Sequence, residues 1–545
     1  MASHACLPEP MMGAQPRIRK RPAAAKANPV APKQTRPISR QRAIPGDPAD
    51  FGLAENRPTW YYQVGGAPQP EWAQHFLNVL RDPIRNLKEK VGDELRLVLW
   101  ADCVGECTEG ISAKPVADVL MKEFGIRLTI KLHAGCDNTR HCEKFVRHNF
   151  DPSHFSNDIF KRDFDRGTFE CTMCGGLCGR LCPLPMTGVD LYWGCFPCGP
   201  WSKRGKRLGL NDKHADVVWQ VIKTINYVNP VIYVMENVVE IGSGDADDDF
   251  SAIKEFMDEQ FGDRYHNLSI AGVSPLHHGY VVHKGRLLVI GGRNDQVCRQ
   301  SMMNVFNQLN QHPIPVVDTY WTFLGLEGVC AEILDGVGQV PSPYFSVRIH
   351  ETTCNCGIDP MIVCPAHPCF CEKCKAGEQL QCSWRHKMMK YLADKNLTNL
   401  INDGCLTYMQ ALELDNETPL PIRNVPQSAR ERNLLNVFAR LPAAQPLRST
   451  LMIFDLSQAI DRCHAKTDGT VPTMATNAKM WSIRAGRPLD VVEMAKLMGH
   501  DLADVNLRGT SENQMRHMLG MSMHVTTAGY ALIGILGAIG SSSIS

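Results

Sequence analysis

The sequence predicts an α/β protein built on a doubly wound, mostly parallel sheet, interrupted by a smaller inserted domain. Two observations carry this. From about residue 90, short apolar runs alternate with segments of helix length, the pattern of strands joined by crossover helices. From about residue 295 to 470 that alternation gives way to Pro, Cys and polar turn residues, before helical patterning returns near the C-terminus.

Leu95–Trp100 reads as the first buried strand, Ser112–Phe124 as the helix after it, Arg127–Leu132 as the next strand and Thr139–Phe150 as the next helix. Val189–Trp193, the helix Ala215–Tyr227 and the strand Val231–Met235 continue the series, and Arg286–Arg293 closes it. Parallel strands need long crossovers, and the helices between these runs supply them. In such Rossmann-like sheets ligands collect outside the carboxyl ends of the strands. Asp102, Asp137, Cys198 and Glu236 all fall there.

The domains predicted are a disordered basic tail over 1–55, a catalytic domain over 90–293 with a Cys-rich insertion at 171–182, a recognition domain over 294–470, and a segment 471–540 that completes the catalytic domain. The tail is rich in Pro, Ala, Lys and Arg and has too few large apolar side chains to offset its ordering entropy. Its run Arg17–Arg21 suits nuclear import or a loose phosphate-binding arm, so a nuclear location is expected. The opening residues lack the apolar core of a signal peptide, so a reducing intracellular setting is expected. Ala528–Gly540 is too short to span a bilayer and reads as a buried helix, with no membrane partner expected. Leu489–Met498 and Gln514–Ile539 read as helices, and the acidic run Asp245–Asp249 as a loop.

The formal net charge is only +1, so any nucleic-acid contact must come from locally gathered charge. The 22 cysteines are too sparse for a disulfide scaffold and point to metal sites or chemistry. In Gly194–Gly205, directly after a predicted strand, Cys198 follows a proline on a tight loop, where helix termini and cations can lower a thiol pKa. Cys198 is therefore a candidate nucleophile, although Cys195 and Cys198 also have the spacing of a metal half-site or a redox pair. About forty residues on, a second strand ends in Met235-Glu-Asn-Val-Val239, placing a carboxyl at the same sheet edge.

A strand-end cysteine followed by a strand-end Glu-Asn-Val resembles the cytosine C5-methyltransferase family. Phe196–Gly205 is similar to its Pro-Cys-Gln-x-Phe-Ser-x-x-Gly loop, with Gly199 in place of Gln, and Asn229–Val238 to its Glu-Asn-Val motif. His278–Arg293 resembles the family's arginine motif, and Pro472–Thr476, Arg487–Gly499 and Gln514–Gly529 its last elements, in family order. The resemblance implies a class I methyltransferase fold that transfers a methyl group from S-adenosylmethionine to C5 of cytosine in DNA, through a covalent bond from Cys198 to C6. It implies that Glu236 holds N3 from a water-poor pocket with a raised pKa, and that Asn237 holds the loop. Arg286 is the second arginine of its motif, and Lys284 stands where the first is expected, in reach of phosphate or the base's O2. The target base is flipped out of the duplex.

For the cofactor the resemblance implies Asp102 and Gly105 in the first loop, Asp137 on the ribose, Asp158 and Ile159 at the adenine, and Pro197 and Ser522. The first loop departs most, because Ala101–Gly110 offers Gly105 where the family favours Phe-x-Gly-x-Gly-Gly. Two alternatives stand beside this reading: a tRNA cytosine methyltransferase, suggested by Pro200 and Trp201, and an inactive relative that binds DNA or chromatin.

Two cysteine clusters predict structural zinc. Cys171, Cys174, Cys178 and Cys182 place four thiols within twelve residues. Cys354, Cys356, Cys364, His367, Cys369, Cys371, Cys374 and Cys382 lie in the expected recognition domain, with Arg348, Lys373, Arg385 and Lys387 near for groove or phosphate contact. His277 and His278 are candidate pocket residues, although local hydrogen bonds more often explain such histidines.

Overall fold

The computed structural model describes residues 71–174, 181–185, 188–203, 205–242, 247–316, 319–324, 394, 431, 434, 453–458, 466, 468–482 and 487–542. The 354–382 cluster, the basic residues around it, Cys178 and the N-terminal tail lie outside these residues.

Seven strands form the central sheet: β1 (Glu94–Asp102), β2 (Arg127–Cys136), β3 (His154–Ser156), β4 (Leu191–Cys195), β5 (Ile232–Val238), β6 (Tyr265–Val273) and β7 (Arg286–Arg293). Their order is β3-β2-β1-β4-β5-β7-β6, and all neighbours run parallel except β7, which is antiparallel to both β5 and β6. The helices are α1 (Trp72–Val79), α2 (Arg81–Val91), α3 (Thr108–Val119), α4 (Arg140–Phe150), α5 (Asp216–Val228), α6 (Asp247–Phe261), α7 (Arg299–Gln311), α8 (Val491–Leu497), α9 (Glu512–Met521) and α10 (Val525–Ser541). This is the Rossmann-like, mostly parallel sheet that the sequence predicts.

Strand periodicity sorts the core into two layers. Leu97, Leu99, Leu191, Trp193, Ile232, Val234, Leu288 and Ile290 share one apolar cluster with residues of α1, α2, α7 and α10. The alternate residues Trp100, Tyr192, Tyr233, Met235, Leu287 and Val289 share the other with α5 and α6. Strands buried on both faces read as continuous apolar runs, which is why they were visible in the sequence. β3, α6 and β6 were not. β3 has three residues, and β6 alternates polar and apolar side chains at the sheet edge.

The C-terminal helical segment is broken. α9 ends at Ser522, and His524 caps α10 by accepting from the Thr526 amide at 3.1 Å, so the predicted continuous helix is two helices bent by 47°. α10 is buried nearly throughout, as its apolar composition requires. A Cβ at Gly529 would stand 2.0 Å from the Trp72 ring, and one at Gly534 2.3 Å from Phe306, so these glycines let α1 and α7 approach the helix axis. α7 therefore belongs to this core, although its residues fall beyond the boundary expected at 293. No single described helix is long and apolar enough to cross a membrane.

On the α5 side, the β1 end is held by a buried ion pair. Arg162 donates from Nη1 to Asp102 Oδ2 at 2.6 Å and from Nη2 to Oδ1, and its side chain and that of Asp102 are 1% and 0% exposed. Tyr192 OH and Trp100 Nε1 donate to the same carboxylate, and Arg162 Nη1 also donates to Thr224 Oγ1 of α5 at 2.6 Å. Removing one partner leaves an uncompensated buried charge, whereas removing both does not. Arg162→Met should lower the free energy of urea unfolding by about 3–5 kcal/mol. The double variant with Asp102→Asn should lose less than the sum of the two single losses.

Candidate active site

β4 and β5 run in parallel register with Cys195 opposite Glu236, so both strands deliver their chemistry at one edge. Beyond β4 the chain turns sharply, with the Trp201 and Ser202 amides donating to the Cys198 carbonyl at 3.0 and 2.9 Å. Phe196 and Trp201 are buried edge to face at 5.7 Å beneath this turn, leaving Cys198 exposed. Asn237 Nδ2 donates to the Phe196 carbonyl at 3.0 Å and ties the loop to β5. On the other side, Asp249 Oδ2 accepts from Trp201 Nε1 at 3.0 Å and the Leu210 amide at 3.1 Å. The acidic run expected to be a loop thus enters the first turn of α6, and Asp249 braces the cysteine turn from there.

The antiparallel β7 completes the cluster. Its first residue, Arg286, pairs with Val238, and Arg286 Nε lies against Glu236 Oε1 in an ion pair whose side chains are 7% and 9% exposed. The Glu236 carboxyl is thus buried but ion-paired, not alone in an apolar pocket. Lys284 is completely buried, and its ammonium donates to the Leu519 carbonyl at 3.2 Å and lies 3.5 Å from that of Gly520. It ties the arginine-motif loop to the end of α9, out of reach of a phosphate. Burial, together with the nearby Arg286 charge, brings the Lys284 amine down to about 7.

Cys195 and Cys198 are both free thiols. Although Cys198 reaches the surface, the groups packed around its sulfur strip enough water from it to raise the thiol above its ordinary value; Arg286 opposes the rise, Glu236 adds to it and Lys284 opposes it. The lowered thiol pKa expected from a strand-end loop is therefore corrected, because the loss of hydration outweighs the two cations.

On the other side of β4, the loop after β1 holds Cys103, Gly105 and Cys107 in the left-handed region, at φ 54°, 54° and 63°. Glycine meets such geometry without cost, whereas each cysteine bears roughly 1 kcal/mol of strain or more. Asp102 is not available to a cofactor, since Arg162, Tyr192 and Trp100 occupy its carboxylate. Asp137, just beyond β2, accepts from the Gly105 amide at 3.0 Å and the Thr139 amide at 2.8 Å. Asp158 caps the short turn Ile159–Lys161, accepting from the Phe160 amide at 2.9 Å. Ile159 packs in the α5-side core, Pro197 is half-buried beside Cys198, and Ser522 Oγ donates to the Leu519 carbonyl at 3.1 Å. His277 lies in a short turn, and buried His278 is satisfied by Thr526 Oγ1 at 2.9 Å.

Three buried polar residues beside this loop were not singled out from sequence. Glu106 and His500 are fully buried 3.3 Å apart, and Glu106 Oε2 and both His500 ring nitrogens find no hydrogen-bond partner among the described residues. Burial raises the Glu109 carboxyl to about 8. No sequence signal could pair Glu106 with His500, because nearly four hundred residues separate them.

Cys171, Cys174 and Cys182 gather at the edge of the sheet, and the fourth group beside them is His154 of β3. Burial raises the Cys171 thiol, but backbone hydrogen bonds at Phe155, Met173 and Cys174, with His154, bring it down to about 6.

The family model for C-5 cytosine-specific DNA methylase matches residues 128–316, a stretch that contains the cysteine turn, Glu-Asn-Val and Lys284–Arg286. The resemblance drawn from the motifs holds over that domain. The chain is also 31% identical over 107 residues to the type II methyltransferase M.PspPI of Psychrobacter sp. (strain TA137), an alignment covering 20% of this chain and about a quarter (25%) of that protein. Among solved structures, a prophage-encoded E. coli protein described as a DNA modification methyltransferase gives a TM-score of 0.40 at 13% identity, covering 81% of this chain and 99% of its own. The S. pombe Dnmt2 methyltransferase gives 0.35 at 12% identity, covering 81% and 98%.

Two outcomes test this electrostatic description. Iodoacetamide should alkylate Cys198 more slowly than Cys298 at pH 8, because hydrogen bonds at Ser301 and Gln300 lower the exposed Cys298 thiol. Arg286→Met should slow Cys198 further, as read by peptide mass spectrometry, because Arg286 is the cation that most opposes the rise and stays charged at pH 8. Glu109 binds its proton in the folded chain up to about pH 8 but in the unfolded chain only to its ordinary range, so wild-type stability falls as pH rises between them. The stability of Glu109→Gln relative to wild type should therefore grow from pH 5 to pH 8 in urea titrations.

Proposed function

We propose that this protein is an S-adenosylmethionine-dependent DNA cytosine C5-methyltransferase. The observation that carries the reading is the meeting of Cys198, Glu236, Lys284 and Arg286 at one sheet edge, with Asn237 holding the cysteine turn. A thiol alone serves many chemistries. A thiol within the field of a buried Glu–Arg pair suits addition to a ring that must be held and protonated at a neighbouring nitrogen.

In this reading the Cys198 thiol gives its proton to the Glu236 carboxylate, which passes it to N3 of a flipped cytosine as the sulfur bonds to C6, the C5–C6 π pair moves to C4–C5 and the C4–N3 pair takes up the proton. Arg286 fixes the Glu236 carboxylate and faces the base's O2. Once C5 carries the methyl group, a water molecule takes the C5 proton, the C–H pair re-forms C5=C6, the S–C6 pair leaves with sulfur, and N3 returns its proton to Glu236. Lys284 and Arg286 favour the thiolate, and Lys284 positions the end of α9 against the site.

Three features support the cofactor on this side. A Cβ at Gly105 would meet nothing within 4 Å, Asp137 is oriented by two amides, and Glu106 keeps an unsatisfied buried oxygen. Gly105, Asp137, Asp158, Pro197 and Ser522 would hold S-adenosylmethionine, which supplies an electrophilic methyl sulfonium when bound. The region between α7 and about residue 470, with its second cysteine cluster as structural zinc, would read DNA, and the basic tail would direct the chain to the nucleus.

The test is a covalent trap on duplex DNA in which 5-fluorocytosine replaces every cytosine. Wild type should form an SDS-resistant adduct that requires S-adenosylmethionine, Cys198→Ser should form none, and Glu236→Gln should slow it on the order of 100-fold. Methylation of tRNA with no adduct on DNA would overturn the substrate, and no adduct on either nucleic acid would overturn the enzyme.

A further inference from the structure

We propose that His154, Cys171, Cys174 and Cys182 form a tetrahedral zinc site that clamps the sheet edge, with His154 in the place that spacing alone assigns to Cys178. The four ligand atoms lie within 4.8 Å of one another. Cys174 Sγ is 3.4 Å from Cys171 Sγ, 3.2 Å from Cys182 Sγ and 3.4 Å from His154 Nδ1, and Cys171 Sγ is 3.7 Å from that nitrogen. A tetrahedron with Zn–S and Zn–N bonds of ordinary length has edges of roughly 3.5–3.8 Å. The observed edges are close to this, and far longer than a disulfide bond of about 2.05 Å.

Cys182 lies in the short strand Leu181–Pro183, which pairs with Thr168–Glu170, and that strand pairs with Arg162–Asp163. Cys171 and Cys174 follow Thr168–Glu170, and the Thr172 amide donates to the Phe155 carbonyl at 2.7 Å, laying this turn against β3. Cys171 and Cys182 are buried, and Cys174 and His154 half-buried, so the site is a closed, structural one. The metal would close the chain between His154 and Cys182 into a loop that contains Asp158, Ile159 and Arg162. It would thereby hold Arg162 at Asp102 and Asp158 at the edge of the cleft. This inference does not depend on the methyl-transfer reading.

The test is the zinc content of the full-length chain by plasma mass spectrometry, read as differences so that the second cysteine cluster cancels. His154→Ala and Cys174→Ser should each carry one zinc fewer than wild type, and Cys178→Ser should carry the same number. An unchanged content in His154→Ala, or one zinc lost in Cys178→Ser, would overturn the proposal. If His154→Ala is insoluble, cobalt-loaded His154→Cys decides. It should keep the metal and move the cobalt d–d bands to longer wavelength as a fourth thiolate replaces nitrogen, and a spectrum identical to wild type would remove His154 from the ligand set.

Discussion

The buried pair between Asp102 and Arg162 is the contact on which the cleft depends. It joins the end of β1 to Tyr192 of β4, to Thr224 of α5 and to the segment that follows Asp158. Two charges taken out of water are costly unless their remaining hydrogen-bonding capacity is filled. Here Trp100 and Tyr192 fill the carboxylate, and the Arg162 guanidinium also lies 5.4 Å over the Trp100 ring. The pair thereby fixes where the β1 loop begins and how the Ile159–Lys161 turn lies against the sheet.

A second constraint comes from the direction of β7. Inserted antiparallel between β5 and β6, it begins where β5 ends, so Arg286 arrives beside Glu236 without a crossover. The short loop before it carries Lys284 inward to the carbonyls that end α9. One strand reversal therefore supplies the cation of the site and the attachment of the C-terminal motif to it. The resulting field is mixed. Burial raises the Cys198 thiol and lowers the Lys284 amine, while the ion pair beside them contributes opposing charges. A thiol held protonated in this way is slow to be alkylated or oxidised, since both reactions act on the thiolate.

Distant segments close the other face. α10 passes against α1, α2, α3 and α7, and glycines at its contacts allow ring and backbone to approach its axis. The seventeen residues of α10 are too apolar to face water, and the N-terminal helices are the surface that covers them. The last helix is thus held by packing against helices drawn from residues 72–119 and 299–311.

The sequence by itself determined the doubly wound sheet, the two faces of its strands, and the placing of Cys198, Glu236, Asn237 and Asp137 at strand ends. It could do so because buried strands must be continuously apolar and because strand-end loops are local features of the chain. It also showed that four thiols recur between residues 171 and 182. Only the tertiary structure decided the partners. Asp102 proved to be a structural counter-ion instead of a cofactor ligand, Lys284 an internal tether instead of a phosphate contact, and His154 a companion of the cysteines. Glu106 meets His500, and Asp249 braces the cysteine turn, across sequence separations that no periodicity encodes. The physical reason is common to all of them. Hydrophobic pattern specifies which face a residue takes, but the fate of a buried polar group depends on which other polar group the fold brings within hydrogen-bonding distance.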